Sequence, residues 1–90
     1  MNILIRDITN PKNPKVVAEL EVNSNDIIPI VGDKISHAVE KKGYMNSDMI
    51  VTRTFDVIRR DFNLSGIGTN LPRISSVDYE VKHDGTEVDN

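Results

Sequence analysis

Two runs decide the fold: Pro29-Ile30-Val31-Gly32-Asp33-Lys34-Ile35, and Met49-Ile50-Val51-Thr52-Arg53-Thr54-Phe55-Asp56-Val57-Ile58-Arg59-Arg60. The second is the longest β-like run in the chain. It carries Phe55 and the branched aliphatic residues Ile50, Val51, Val57 and Ile58, which suit a half-buried pleated surface. In the first run, proline holds the residue before it extended. Gly32-Asp33 then marks a tight turn or bulge, where a residue without Cβ lets the chain bend sharply. Val31 and Ile35 are expected on either side of that bend, facing the core. The other strands are expected to lie against these two legs.

At about 3.3 Å per residue, Met49 to Arg60 would cover nearly 40 Å as a strand. It is therefore expected to bend, or to end near Ile58. Alternation places Val51, Phe55 and Val57 on one face together with Arg53. Ile50, Thr52, Thr54, Asp56 and Ile58 take the other face. An arginine among core residues needs a partner or an exit to solvent.

Between the two runs, Lys34 to Gly43 fits two periods. A helix would group Ile35, Ala38, Val39 and Lys42, with Asp33 as N-cap and Gly43 just past the end. A strand would group Ile35, His37 and Val39 against Ser36, Ala38 and Glu40. The strand is preferred because Ile35 and Val39 suit a sheet and a partner run follows closely; one short helix over 34–42 is the alternative. Gly43 to Asp48 reads as a loop that exposes Tyr44.

Working outward, Asn2 to Ile8 reads as a strand. Thr9 to Lys15 reads as a hairpin loop, broken by Pro11 and Pro14. Val16 to Val22 is the returning strand, with Glu19 and Glu21 marking a solvent face. Asn23 to Asp26 is a polar break. Asp61 to Pro72, rich in Gly and Asn, reads as a mobile loop with Leu64, Ile67 and Leu71 tucked beneath it. Arg73 to His83 is the last strand, where Val77, Tyr79 and Val81 alternate with Asp78, Glu80 and Lys82. Asp84-Gly85 is a turn signal. Residues 1–85 are thus expected to form a single small β-barrel domain, and 86–90 a frayed acidic tail.

The 90 residues hold one domain. With 38% hydrophobic and 4% aromatic residues and no tryptophan, the core is aliphatic and thin. A net charge of −3 does not favour a general nucleic-acid binder, which usually carries a basic excess. The absence of cysteine excludes disulfides, thiolate metal sites and a cysteine nucleophile, and fits a cytoplasmic setting. The apolar start, Met1 to Ile8, is too short for a signal peptide or a bilayer span, so no membrane partner is expected.

No chemical constellation stands out. His37 and His83 lack a paired ligand at helical or hairpin spacing, and zinc needs three or four fixed ligands. Ser65-Gly66-Ile67-Gly68 lacks the strand-turn-helix setting of a nucleophile elbow. The same glycines, with Arg59 and Arg60 nearby, lack the helix N-terminus that a phosphate loop requires. Asp33 and Asp56 read as surface charge balanced by Lys34 or Arg53. No cofactor, metal, small-molecule substrate or enzymatic activity is expected. The candidate binding surface is the basic set Lys41, Lys42, Arg53, Arg59, Arg60 and Arg73, with Tyr44 and Phe62 as its aromatics.

The proline, the turn and the later strand also carry a resemblance. Pro29, Val31-Gly32-Asp33, and Val51, Arg53, Phe55 and Asp56 in the form Val-x-Arg-x-Phe-Asp resemble short bacterial and phage proteins of the SH3-like barrel type. The resemblance covers about a third of the chain. It implies a fold and a phage or mobile-element setting, with no activity attached. The acidic and aromatic groove residues of peptide-binding SH3 domains are not recognisable, so proline-rich peptide binding does not carry over. The expected fold is mainly β: a small, antiparallel, partly open SH3-like barrel of about five strands. The expected function is a non-catalytic interaction or structural module with a protein partner or a second copy, such as a homodimer. A nucleic-acid-binding barrel with a basic face is the alternative.

Overall fold

The computed structural model describes residues 1–23, 26, 28–66, 68 and 73–89. Five strands follow in order: β1 (Asn2–Asp7), β2 (Lys15–Glu21), β3 (Lys34–Lys42), β4 (Asp48–Ser65) and β5 (Arg73–Asp89). They form one open sheet in the order β2-β1-β5-β4-β3. The expected mainly-β, five-stranded architecture is present, but the sheet is mixed: β1 runs parallel to β5, with Ile3 beside Val77 and Ile5 beside Tyr79. The other neighbours are antiparallel.

Segment 34–42 is a strand, and the helical alternative is overturned. Every second residue of it, Ile35, His37, Val39 and Lys41, is partly covered, while the residues between them are exposed. A helix would instead bury residues three or four apart.

The backbone of the molecule is the ribbon of β4 and β5, 18 and 17 residues long, in a body 58 × 27 × 22 Å. Both strands exceed expectation. Residues 61–65, read as loop, continue β4 and pair with the start of β5, Phe62 opposite Val77 and Ser65 opposite Arg73. The 86–90 tail does not fray over its described part, because β5 resumes after Gly85 and places Glu87 opposite Arg53 and Asp89 opposite Val51. Gly85 makes this possible. It sits at φ +93, a conformation that other residues adopt only at a cost. There the chain swings out and returns to the same strand.

One face of the sheet carries the core. Ile3 and Ile5, Phe55 and Val57, and Val77, Tyr79 and Val81 are buried together. Val51 is fully buried farther along β4. The alternation read for β4 and β5 accounts for all of these positions on both strands.

The segment after β2 crosses this face to reach β3 at the opposite edge. Ile28 packs on the core, and the Pro29 carbonyl accepts bonds from the Tyr79 hydroxyl (2.6 Å) and from Arg60 Nη1 (3.2 Å). Ile30 to Asp33 then turns, with Asp33 N–H bonded to the Ile30 carbonyl (3.0 Å) and Gly32 at φ +96. That is the glycine position of a type II turn. Gly32 N–H bonds the Val57 carbonyl at 3.0 Å, and Val57 N–H bonds the Asp33 carbonyl at 2.9 Å. Two residues thus face one, so the expected bend is a bulge in the approach to β3. Val31 does not face the core; it is 57% exposed, because the turn points its side chain outward. Leu64 is likewise exposed, and Ile67 and Leu71 lie outside the described residues.

The opposite face is mixed: it exposes Ile50 and Ile58 among charged and polar side chains. Lys34 bridges Asp56 and Asp84, Arg59 pairs with Asp61, and Asn63 donates to Ser76 and Asp78.

Candidate interaction surface

The outer strands leave two edges that no described strand covers, β2 and β3. The pattern of ladder bonds decides which groups each edge offers. In an antiparallel pair, one residue in two bonds to its partner and the next turns its N–H and C=O away. The register from Lys34 opposite Asp56 to Lys42 opposite Asp48 is unbroken. It is bracketed by two bonds: Val57 N–H to the Asp33 carbonyl (2.9 Å) and Gly43 N–H to the Ser47 carbonyl (2.7 Å). Odd positions of β3 therefore bond to β4. Lys34, Ser36, Ala38, Glu40 and Lys42 turn their backbone groups outward.

The same argument applies to β2. Val22 N–H bonds the Met1 carbonyl (2.9 Å), and the Met1 amino group returns a bond at 3.2 Å. Leu20 and Ala18 therefore bond to β1, and Glu21 and Glu19 face out. Past Ala18 the register slips, so that Arg6 faces Val16 and Val17 is the extra residue. The β2 edge is thus short and interrupted. The β3 edge is straight over 9 residues.

The sequence-based candidates do not converge. Lys41 and Lys42 lie at one end of the ribbon, and Arg73 at the other, opposite Ser65. Tyr44, in the short 3-10 turn Tyr44–Asn46 that joins β3 to β4, is 87% exposed and sits at the end away from Phe62. Arg59 is on the face opposite the core with Asp61 and Glu80.

Arg60 is on the core face. Its guanidinium lies 4.7 Å from the centroid of the Phe62 ring, and it also donates to Pro29. Arg53 and Lys41 share Glu87, at 2.8 and 2.5 Å, and Lys42 pairs with Asp48. Arg53 thus finds the partner that its position among core residues demands. Glu87 gains by it: the Lys41 ammonium, then the Arg53 guanidinium, hold its carboxyl down at about 2.

Sequence reasoning missed the outward positions of β3 and β2, because the alternation in 34–42 says which residues share a face but not which strand ends up at an edge. The two histidines are also separated. His37 lies beside Arg53 on β3, while the His83 ring is 5.6 Å from that of Phe55 and its Nε2 meets the Thr86 carbonyl at 3.0 Å. Among the described residues no cluster of three or more metal-ligating side chains occurs, and no helix is long and apolar enough to cross a membrane. No family model, curated relative or solved structure matches the chain.

Proposed function

We propose that this chain is a non-catalytic interaction module that takes an extended segment of a protein partner onto the free edge of β3. One observation carries the reading. β3 is a regular strand of 9 residues, bonded on one side, with its even-numbered backbone groups turned to a side that no described strand occupies. Such an edge is a template for strand addition: main-chain bonds supply affinity, and alternate side chains supply selectivity. Lys34 and Lys42 stand at the two ends, each already paired with carboxylates, so the main chain contributes more than net charge to the recognition of the incoming strand.

The test uses a display library of extended peptides. Selected peptides should slow amide exchange at Ser36, Ala38 and Glu40. If selection repeatedly yields binders that protect only the Gly43 to Asp48 tip, the reading fails.

The nucleic-acid alternative has less support, because the cations proposed for it are dispersed and most sit against carboxylates. A fluorescence-polarisation titration at low salt checks it. Binding that survives Arg59→Glu with Arg60→Glu would owe nothing to those two arginines.

A further inference from the structure

We propose that the segment received by β3 is the β2 edge of a second copy of this chain, so that molecules join head to tail. This rests on the strand-addition reading above and adds the partner's identity.

Direction comes first. β2 is antiparallel to β1, β1 is parallel to β5, and β5, β4 and β3 alternate. The two free edges therefore run in opposite directions. A second copy shifted along the sheet, without being turned over, brings its β2 against β3 as an antiparallel pair.

Charge comes second. The outward positions of β2 are Glu19 and Glu21, and neither has an ion pair among the described residues. β2 against β2 would oppose glutamate to glutamate, which is unfavourable for directly facing residues. The β3 edge begins with Lys34 and Ser36. The Lys34 ammonium has three donors; Asp56 and Asp84 take two of them, at 2.8 and 3.0 Å. The third is available to Glu21.

Register comes third. With Glu21 opposite Lys34, Glu19 falls opposite Ser36. Outward groups then meet outward groups at both positions. Between them Leu20 falls opposite Ile35, both on the core face. Leu20 is 48% exposed, on a strand whose partner Ile3 is buried, and the incoming β3 would cover it. Ala18 falls opposite His37. The slip at Val17 ends the match there, so the contact is short and its assembly depends on concentration. Because different patches meet, each added copy leaves one free edge of each kind, and growth is open-ended unless the rotation closes a ring.

Two full-length variants test this without touching the backbone. Glu19→Lys with Glu21→Lys makes the β2 edge basic. Ser36→Glu with Ala38→Glu makes the β3 edge acidic. Sedimentation velocity over a concentration series should show the unmodified chain growing in mass. Each variant alone should need about tenfold more protein to reach the same average mass. An equal mixture should regain assembly, because the reversed β2 edge now meets an acidic β3 edge. Circular dichroism checks that both variants keep the strand spectrum; should the double glutamate variant misfold, Ser36→Glu alone serves.

Two results would overturn the proposal. One is an unmodified chain that stays monomeric at every concentration. The other is assembly unaffected by the β2 reversal: where the acidic β3 variant still weakens it, β3 pairs with β3, and where neither variant weakens it the strand-addition reading falls as well. In the first of those outcomes the β3 edge remains a binding edge, and only the partner assigned to it falls.

Discussion

The hydroxyl of Tyr79, on the central strand β5, donates a 2.6 Å bond to the carbonyl of Pro29, 50 positions earlier in the chain. That bond fastens the crossing segment to the sheet. Burial pushes the Tyr79 hydroxyl above its ordinary pKa of 10.0, so it stays a donor throughout the neutral range. Ile28, just before Pro29, packs on the core together with Val22, and Pro29 is where the segment touches the middle of the sheet.

Tyr79→Phe keeps the ring and removes the bond. It should destabilise the fold by about 1 kcal/mol, the usual net worth of such a bond, with Arg60 left as the remaining donor to Pro29. Urea unfolding measures this. An unchanged midpoint would mean that the segment is held by packing alone.

The ladder pattern predicts opposite responses to proline at neighbouring positions. Ala38 turns its N–H away from β4, so Ala38→Pro removes no ladder bond, and proline is accepted on an edge strand in that orientation. His37 donates toward β4, so His37→Pro should cost about 2 kcal/mol more. Thermal unfolding of the two variants decides. Equal losses would contradict the assigned pattern.

Stability should fall in acid. The Glu87 carboxyl sits at about 2 rather than the ordinary 4.5 because Lys41 and then Arg53 bond it. Asp84 sits at about 2 rather than 3.8, first through the backbone N–H of Thr86 and then through Lys34. With both values depressed, the unfolded chain binds more protons below about pH 4.5. The two groups' stabilisation is therefore complete above that pH and is lost as pH falls toward 2. Solvent reaches both, so added salt should weaken the effect. Melting temperatures from pH 7 to pH 2 should show a shallower acid decline in Glu87→Gln with Asp84→Asn. An identical slope in that variant would show that these carboxylates play no part.

The β3–β4 turn holds Met45 at φ 56 and Asn46 at φ 63, the left-handed pair of a type I′ hairpin turn. Asparagine tolerates that region; methionine pays about 1 kcal/mol for it. Met45 is 84% exposed, so Met45→Gly loses no packing. It should raise stability by about 1 kcal/mol in urea unfolding. A loss instead would mean that the methionine side chain holds the turn in shape.

Much of the sheet was legible. The alternation of Val77, Tyr79 and Val81 named the core face of β5, and Val51, Phe55 and Val57 named that of β4. The parallel neighbour of β5 was not legible, because alternation reports a face and not which strand lies alongside. Asp84-Gly85, read as a hairpin turn, is instead a bulge within β5. Residues 84–86 bulge out opposite Thr54, between His83 opposite Phe55 and Glu87 opposite Arg53, and the strand then goes on. The candidate surface was the least legible part. Lys41 and Arg53 look like free cations until Glu87 is placed beside both, and that placement depends on the strand continuing past Gly85.

The position of β5 also sets the order in which the molecule can be assembled. β1 and β2, and β3 and β4, are two local hairpins available early to a chain leaving the ribosome. The inner strand of each, β1 or β4, lacks its second neighbour until the last described strand, β5, pairs with it. Until then Ile3, Ile5 and Val57 lack the neighbours Val77, Tyr79 and Val81, and two sticky half-sheets wait side by side. A nascent chain stalled before Val77 would offer chaperones and proteases two hairpins without their shared wall.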